Sequence, residues 1–377
     1  MSKSVLIFCP GANYIDWWDE TSIGKEGLGG TEIFFIELSR ELAKRGHKGV
    51  LAGDSKERHI SEDGVEYIPH NEAIHIYFKY EFDIGIFYYA KYIQFFSCKK
   101  NILTPTCEMV EYCPGMKVDS EHGADEFDKV VCLSNWHKNN VIDSDGIDES
   151  KIAIIPFGTN MMEDFTDVNM EEKELAMVWS SRPERNFSLF MDYVYPKIKK
   201  HYSEFKVYFC SYVDDENYGK LQEKYKDEDV EFLGKVQQKE LHELQKKCMI
   251  WVYPNIGVNI SIDGETPNYF FHETFCYTAL ENALAKNEIV CIGDGKDGIS
   301  TTLEGVEMLP GNLFKEYSMF FEEDYEAVGN AMAAEALRSI WGALNHYTGH
   351  LEENSKKFAE KYKWENIIPL WEKLFDE

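Results

Sequence analysis

Positive charge is what this sequence has least of. Lysine and arginine together number 39 against 67 aspartates and glutamates, a formal net charge of −28. Duplex DNA or RNA as a general partner needs a basic face that displaces counterions, so the balance argues strongly against that class. It argues equally against docking on a membrane through a broad basic patch. Long hydrophobic runs are missing too. The opening MSKSVLIFCPGANY stops being apolar at Pro10 and Gly11, too early for a secretory signal and far short of the roughly 20 residues that span a bilayer. The expectation is a soluble, cytoplasmic chain without a transmembrane segment. None of the nine cysteines belongs to a CxxC pair, which fits reduced core thiols rather than a disulfide framework. Cys107, Cys113 and His122 match no standard zinc spacing, and no metal is expected. No short repeat and no low-complexity tract occurs.

What is present is a repeated alternation. With 377 residues, 44% of them apolar, the chain is long enough for two or three domains with real cores. Ser4–Cys9, Lys48–Gly53, Phe82–Tyr88, Asn101–Thr104, Lys129–Ser134 and Lys151–Pro156 are short apolar runs closed by turn residues, the pattern of strands buried on both faces of a parallel sheet. Between the first two, Thr31–Arg45 carries Phe34, Phe35, Leu38, Leu42 and Ala43 at helical spacing and ends at Gly46. Such alternation means βαβ units. Periodicity lapses over Phe157–Asn169, which places a boundary near 165 between domains spanning 1–165 and 166–359. The series then restarts with Leu175–Ser180, Lys206–Cys210, Val230–Leu233, Met249–Tyr253 and Glu288–Ile292 as strands. Helices are expected at 188–200, about 214–227, and 239–247. The C-terminal region reads as helical over Tyr325–Leu344 and again from Trp364, with a break at Pro369. The fold class is therefore α/β, two doubly wound Rossmann-like domains in series.

Several stretches carry residue types suited to chemistry. His272–Glu281, HETFCYTALE, sets Glu273 and Glu281 eight positions apart. On one helix that spacing puts the carboxylates about 80° apart around the axis and about 12 Å along it, where one elongated ligand reaches both. The plain alternative is an exposed helix carboxylate at Glu281 and a dipole-favoured helix-start residue at Glu273. Gly27–Glu32, GLGGTE, precedes a helix, where glycines admit a ligand close to the backbone and free N–H groups attract anions. It reads equally as a flexible loop capped by Thr31. It is not a dinucleotide fingerprint, because the first strand is followed by Pro-Gly-Ala-Asn-Tyr without GxGxxG. Asp16-Trp-Trp-Asp-Glu20 mixes aromatics with carboxylates, as sugar sites do, and equally suits a tryptophan pair packing its loop down. Ser180–Asn186 places Arg182 and Arg185 at a strand end, where forked donors suit a diphosphate. Lys235 is a weaker third cation at another strand end. His137 sits at a strand-to-helix turn, either as a ligand contact or as a helix-face residue, and His272 adjoins Glu273.

In this order the blocks resemble a GT-B glycosyltransferase, specifically the retaining glycosyltransferase family four. GLGGTE resembles its N-terminal glycine loop, VVCLSNWHKNN with KIAIIPFGTN a second block, and SSRPERNF the start of its C-terminal domain. HETFCYTALENALAKNEIVCIG resembles its E-x7-E segment, and YKWENIIPLWEKL its closing helix. The resemblance implies two Rossmann-like domains facing a cleft, the helix at about 360–377 crossing back to the first. It implies transfer of a sugar from a nucleoside diphosphate to a carbohydrate-type acceptor hydroxyl, with retention, without metal or other cofactor. By position, Glu273 would take donor-sugar hydroxyls and Glu281 the ribose hydroxyls. Arg185, with Arg182 or Lys235, would offset charge on the leaving diphosphate, and the Gly29–Gly30 backbone would face the phosphates. His272, Thr274 and Phe275 would line the donor site; Asp16, Trp17, Glu108 and His137 would serve the acceptor. Two departures stand out. Many members carry a Lys five residues after the Arg, where this chain has Phe190, and many carry a His where Thr104–Met109 has none. The resemblance also leaves room for a scaffold or nucleotide-sugar-binding protein that has lost transfer. A nicotinamide-dependent oxidoreductase is disfavoured by the missing fingerprint.

Overall fold

Ser4–Phe8 is apolar at every position after the first because it becomes β1 at the centre of a sheet, with Val5, Leu6, Ile7 and Phe8 buried. The computed structural model describes residues 1–10, 17–23, 28–106, 122–211, 216–259, 269–270, 272–293, 297–310 and 322–377. Around β1 the chain lays down β2 (Lys48–Gly53), β3 (His59–Ile60), β4 (Glu66–Pro69), β5 (Glu81–Phe87), β6 (Ser97–Leu103), β7 (Lys129–Cys132) and β8 (Ile152–Ile154). Their spatial order is β3-β4-β2-β1-β5-β6-β7-β8, parallel throughout except for the edge pair β3/β4. The order reverses between β1 and β5, the signature of a Rossmann-like sheet. The short pair β3/β4 and the helix His70–Tyr77 are additions that the apolar runs did not announce.

The chain divides into two compact units, Met1–Asn160 with Tyr362–Glu377, and Met161–Lys361. The C-terminal helix Trp364–Asp376 belongs to the first unit and runs unbroken through Pro369. It is held there by Trp364, which stacks on Phe34 at 6.2 Å and donates to Glu37 Oε2 at 2.8 Å. Lys3–Asp376 and Arg45–Glu372 add charge contacts at 2.8 Å each. Gly158 is obligatory for this packing, since a Cβ there would fall on the Trp364 ring.

In the second unit β9 (Ala176–Trp179), β10 (Lys206–Cys210) and β11 (Val230–Gly234) form one parallel sheet in the order β11-β10-β9. β12 (Ile250–Tyr253) is followed by the small antiparallel hairpin β13 (Val258–Asn259) and β14 (Tyr269–Phe270). β15 (Glu288–Gly293) and β16 (Leu309–Pro310) then complete a second parallel sheet, β12-β15-β16. Backbone bonds from Glu174 N to Lys247 O (2.7 Å) and from Met249 N to Ala176 O (3.1 Å) join the two along β9 and β12. Six strands then run β11-β10-β9-β12-β15-β16, again reversing at the centre. Lys173 locks this seam: its ammonium lies 2.6–3.2 Å from the carbonyls of Lys246, Cys248 and Ala285 and from Asn287 Oδ1.

The helical run after β9 covers 187–201 and contains a π-helical turn at Phe190–Val194. That register points Phe190 into the core, where it is fully buried against Trp179 and Tyr195. The position where many members of the family it resembles carry lysine is here a packing position. Among the described residues, no helix is long and apolar enough to cross a membrane, and seven cysteines are free thiols.

Candidate functional site

Where the strand order of the second unit reverses, the loops after β9 and β12 leave the sheet side by side, and ligands of open α/β sheets bind outside such strand ends. Arg182 to Arg185 closes a turn, with Arg185 N donating to Arg182 O at 3.0 Å. Asn186 then adopts φ 68°, the left-handed region that asparagine tolerates better than most residues. Its buried side chain donates to Pro254 O at 3.0 Å and so ties the two loops together. Asn186 carries no motif of its own; only its place between the arginine pair and a helix start hints at a cap.

The tie brings Arg185 to Glu273, with Nη1 3.6 Å from Oε1 and both side chains 17% exposed. The Tyr253 hydroxyl donates to the same Oε1 at 3.0 Å. Tyr253 ends β12, is buried, and stacks on Trp251 with ring centroids 5.0 Å apart. Burial first, and the Glu273 charge second, push its phenol far above the ordinary range, so it stays a neutral phenol that donates to the carboxylate. The sequence marks Tyr253 as a strand residue and nothing more, because a strand-end tyrosine carries no motif. Tyr253→Phe is expected to leave the fold intact and lower turnover about tenfold, the worth of one hydrogen bond to a charged group; steady-state kinetics beside a melting curve checks this.

Glu273 does not begin a helix. The helix starts at Tyr277 with Cys276 as N-cap, so the two glutamates do not share one helical face in the way the spacing implied. His272–Cys276 is instead an irregular segment pinned from two sides. A Cβ on Gly298 would fall on the Glu273 carbonyl, and Cys276 N donates to Thr302 Oγ1 at 3.2 Å. His272 lies against Gly257, whose φ of +75° and close approach, 2.7 Å from a Cβ to Nε2, both demand glycine. Thr274 and Phe275, within this segment, are buried.

Glu281 lies in the helix Tyr277–Leu284 and is 5% exposed, not the solvated carboxylate that a bland reading of the pattern allows. Gln245 Nε2 donates to its Oε2 at 2.8 Å, and His242 Nε2 stands 3.7 Å from Oε1. Arg182 is paired with Glu184 in its own loop. Lys235 is exposed, just after Gly234.

In the first unit the helix Gly30–Lys44 has Gly29, not Thr31, as its N-cap. Thr31 Oγ1 instead shares a hydrogen bond of 2.6 Å with Thr106 Oγ1. The Glu32 carboxyl folds back on the loop, accepting the Gly29 and its own backbone N–H. A Cβ at Gly29 would stand 2.5 Å from Glu32 Oε2, so a side chain there would displace the folded-back carboxyl, while the φ of −77° suits any residue. Burial raises Glu32 to about 7. His137 is fully buried, its Nδ1 accepting Leu133 N at 3.2 Å, so it serves the turn after β7. Trp17 carries the Lys56 ammonium 5.8 Å over its ring, while Trp18 packs against Gly53. Asp16 and Glu108 lie outside the described residues. Among the described residues, Asp19, Glu20 and His59 bring three ligand-type atoms within 4.8 Å of one another, a cluster explained by the Glu20–His59 hydrogen bond of 3.0 Å.

The fold these elements build is GT-B: two Rossmann-like units, with the C-terminal helix returned to the first. Solved structures share it over essentially the whole chain. Sucrose-phosphate synthase from Thermosynechococcus elongatus matches with a TM-score of 0.65 at 13% identity, covering 99% of this chain and 98% of that one. HepE of Anabaena, solved in complex with UDP-glucose, matches with a TM-score of 0.62 at 12% identity and full coverage of both chains. The catalytic domain of starch synthase IV from Arabidopsis thaliana, bound to ADP and acarbose, matches with a TM-score of 0.53 at 9% identity over 96% of this chain and 100% of that one. No family model and no curated protein matches the sequence.

Proposed function

We propose that the chain is a retaining, metal-independent glycosyltransferase that moves a sugar from a nucleoside diphosphate to a carbohydrate-type acceptor hydroxyl. The observation that carries the reading is the Arg185–Glu273–Tyr253 cluster at the central strand ends of the second GT-B unit, at 3.6 and 3.0 Å. The UDP-glucose and ADP complexes of two proteins of the same fold support a nucleotide-sugar ligand.

In this reading the ionised Glu273 accepts hydroxyls of the donor sugar, and Glu281 accepts those of the ribose, tasks for acceptor-only groups. Arg185 faces the diphosphate, supplemented by Arg182 or Lys235. As the bond from the anomeric carbon to the phosphate oxygen breaks, negative charge grows on the leaving group, and a prepositioned guanidinium lowers that barrier. The acceptor oxygen bonds to the anomeric carbon on the same face, and its proton passes to the departing phosphate oxygen. No step calls on a metal or cofactor.

A thermal-shift screen with UDP, GDP, ADP and their sugar conjugates tests the reading. A ligand at about 100 times its Kd adds roughly 2.7 kcal/mol to the native state, so a true donor raises the melting midpoint and supports transfer in a coupled assay. No shift and no transfer across the panel would sink it; binding without transfer would point to a nucleotide-sugar-binding protein instead.

A further inference from the structure

Helix Gln238–Lys247 turns two polar side chains inward, His242 at 1% and Gln245 at 0% exposure. Both meet Glu281. Gln245 Nε2 donates to Oε2 at 2.8 Å, His242 Nε2 faces Oε1 at 3.7 Å, and His242 Nδ1 lies 2.7 Å from Asp164 Oδ2. The Phe165 ring packs 4.9 Å from the imidazole and seals the pair from water. A neutral imidazole donating from Nδ1 to Asp164 would turn the lone pair of Nε2 toward the Glu281 carboxylate. The imidazolium has a proton for each side, and at 3.7 Å its Nε2 meets Oε1 as a charge contact rather than a hydrogen bond, so the two flanking carboxylates favour the charged form.

We propose that Asp164, His242 and Gln245 are positioning residues that hold the Glu281 carboxylate in the one orientation that accepts a ribose diol, so that nucleotide affinity depends on the His242 imidazolium. The inference rests on the reading of Glu281 as the ribose contact. The relay explains how a nearly buried carboxylate can serve a ligand: a carboxylate left alone at that depth would be free to swing, whereas a fixed cation and an amide donor on its two oxygens keep it aimed. Burial pulls the proton affinity of His242 down, but Asp164 and Glu281 outweigh it and raise the group to about 9. The charged groups facing it are Asp164 from the turn Met161–Phe165 and Glu281 from the helix Tyr277–Leu284; Lys239 and Lys246, on its own helix, stand near Asp164.

The test is calorimetric titration of UDP, GDP and ADP into wild type, His242→Gln, Glu281→Gln and the double variant, with a melting curve for each. His242→Gln is expected to weaken the best nucleotide about tenfold, and to add less than about twofold in the Glu281→Gln background, because both changes remove one device. Wild-type affinity is expected to fall above pH 9, and the His242→Gln profile to be flat there. Should His242→Gln fail to fold, Asp164→Asn, changed at a side chain that is 45% exposed, is expected to move that break to lower pH. Full additivity, or wild-type affinity in a folded His242→Gln or Asp164→Asn variant with an unmoved pH profile, overturns the inference alone. A wild-type protein that binds none of the three nucleotides overturns the site reading and the inference together.

Discussion

Arg185→Ala is expected to lower kcat by about 10²–10³-fold, the usual cost of deleting one preorganised group at a developing negative charge. The guanidinium is held by a turn whose next residue, Asn186, is itself bonded to the neighbouring loop, so on the proposed reading it would meet the transition state without reorganising. Arg182 cannot simply replace it, being paired with Glu184, and Phe190 is committed to the core. On the proposed reading Arg185 would therefore carry more of the phosphate charge than in a chain with a lysine at that place. Glu273→Gln should cost a similar factor. Glutamine still accepts the Tyr253 hydroxyl, so the fold is retained while the charge is lost. Initial rates with the donor found by thermal shift, compared with melting midpoints, decide the matter. Near-normal turnover by either variant sinks the site assignment, and a change confined to KM would reassign Arg185 to uniform substrate binding.

Trp364→Ala should be the most damaging single change to stability, about 3–5 kcal/mol, or a midpoint drop of about 10 °C for the first unit. The indole is 2% exposed and donates to the buried Glu37 at 2.8 Å. Its loss opens a cavity and removes a hydrogen bond from a carboxylate that has few alternatives. The damage should depend on pH. Burial raises Glu37 from its ordinary 4.5 to about 7, against the opposing pull of the Trp364 hydrogen bond. A raised carboxyl contributes stability that is complete below the unfolded value and is lost as pH rises through the folded one. From pH 4.5 to about 7 this residue should therefore withdraw on the order of 3 kcal/mol. Glu37→Gln should abolish that slope, and Trp364→Ala should be worse at pH 8 than at pH 5. Equal deficits at both pH values would show that Glu37 plays no part. Glu32, raised to about 7 by burial, acts in the same direction, and His242 extends the trend from 6.5 to about 9.

Much of this molecule is legible in its sequence because parallel strands buried on both faces have no choice of composition. Val5 to Phe8, Val130 to Cys132 and Ile250 to Tyr253 are apolar at every position and are all buried, and the helical periods between them follow from packing on those strands. Local pattern also marked the glycine loop before its helix and the two arginines after a strand, since both lie just ahead of a helical period. Other features depend on neighbours far along the chain. Glu273 stands before its helix because Gly298 and Thr302 pin the segment, 25 or more residues later. The burial of Glu281 is set by His242 and Gln245 on another helix, and the role of Tyr253 by a carboxylate 20 residues downstream. Strand and helix periods are properties of successive residues and can be counted along the chain. Carboxylate orientation and proton affinity are set by whichever charges and donors the fold brings within a few ångströms, and those distances exist only once the chain has folded.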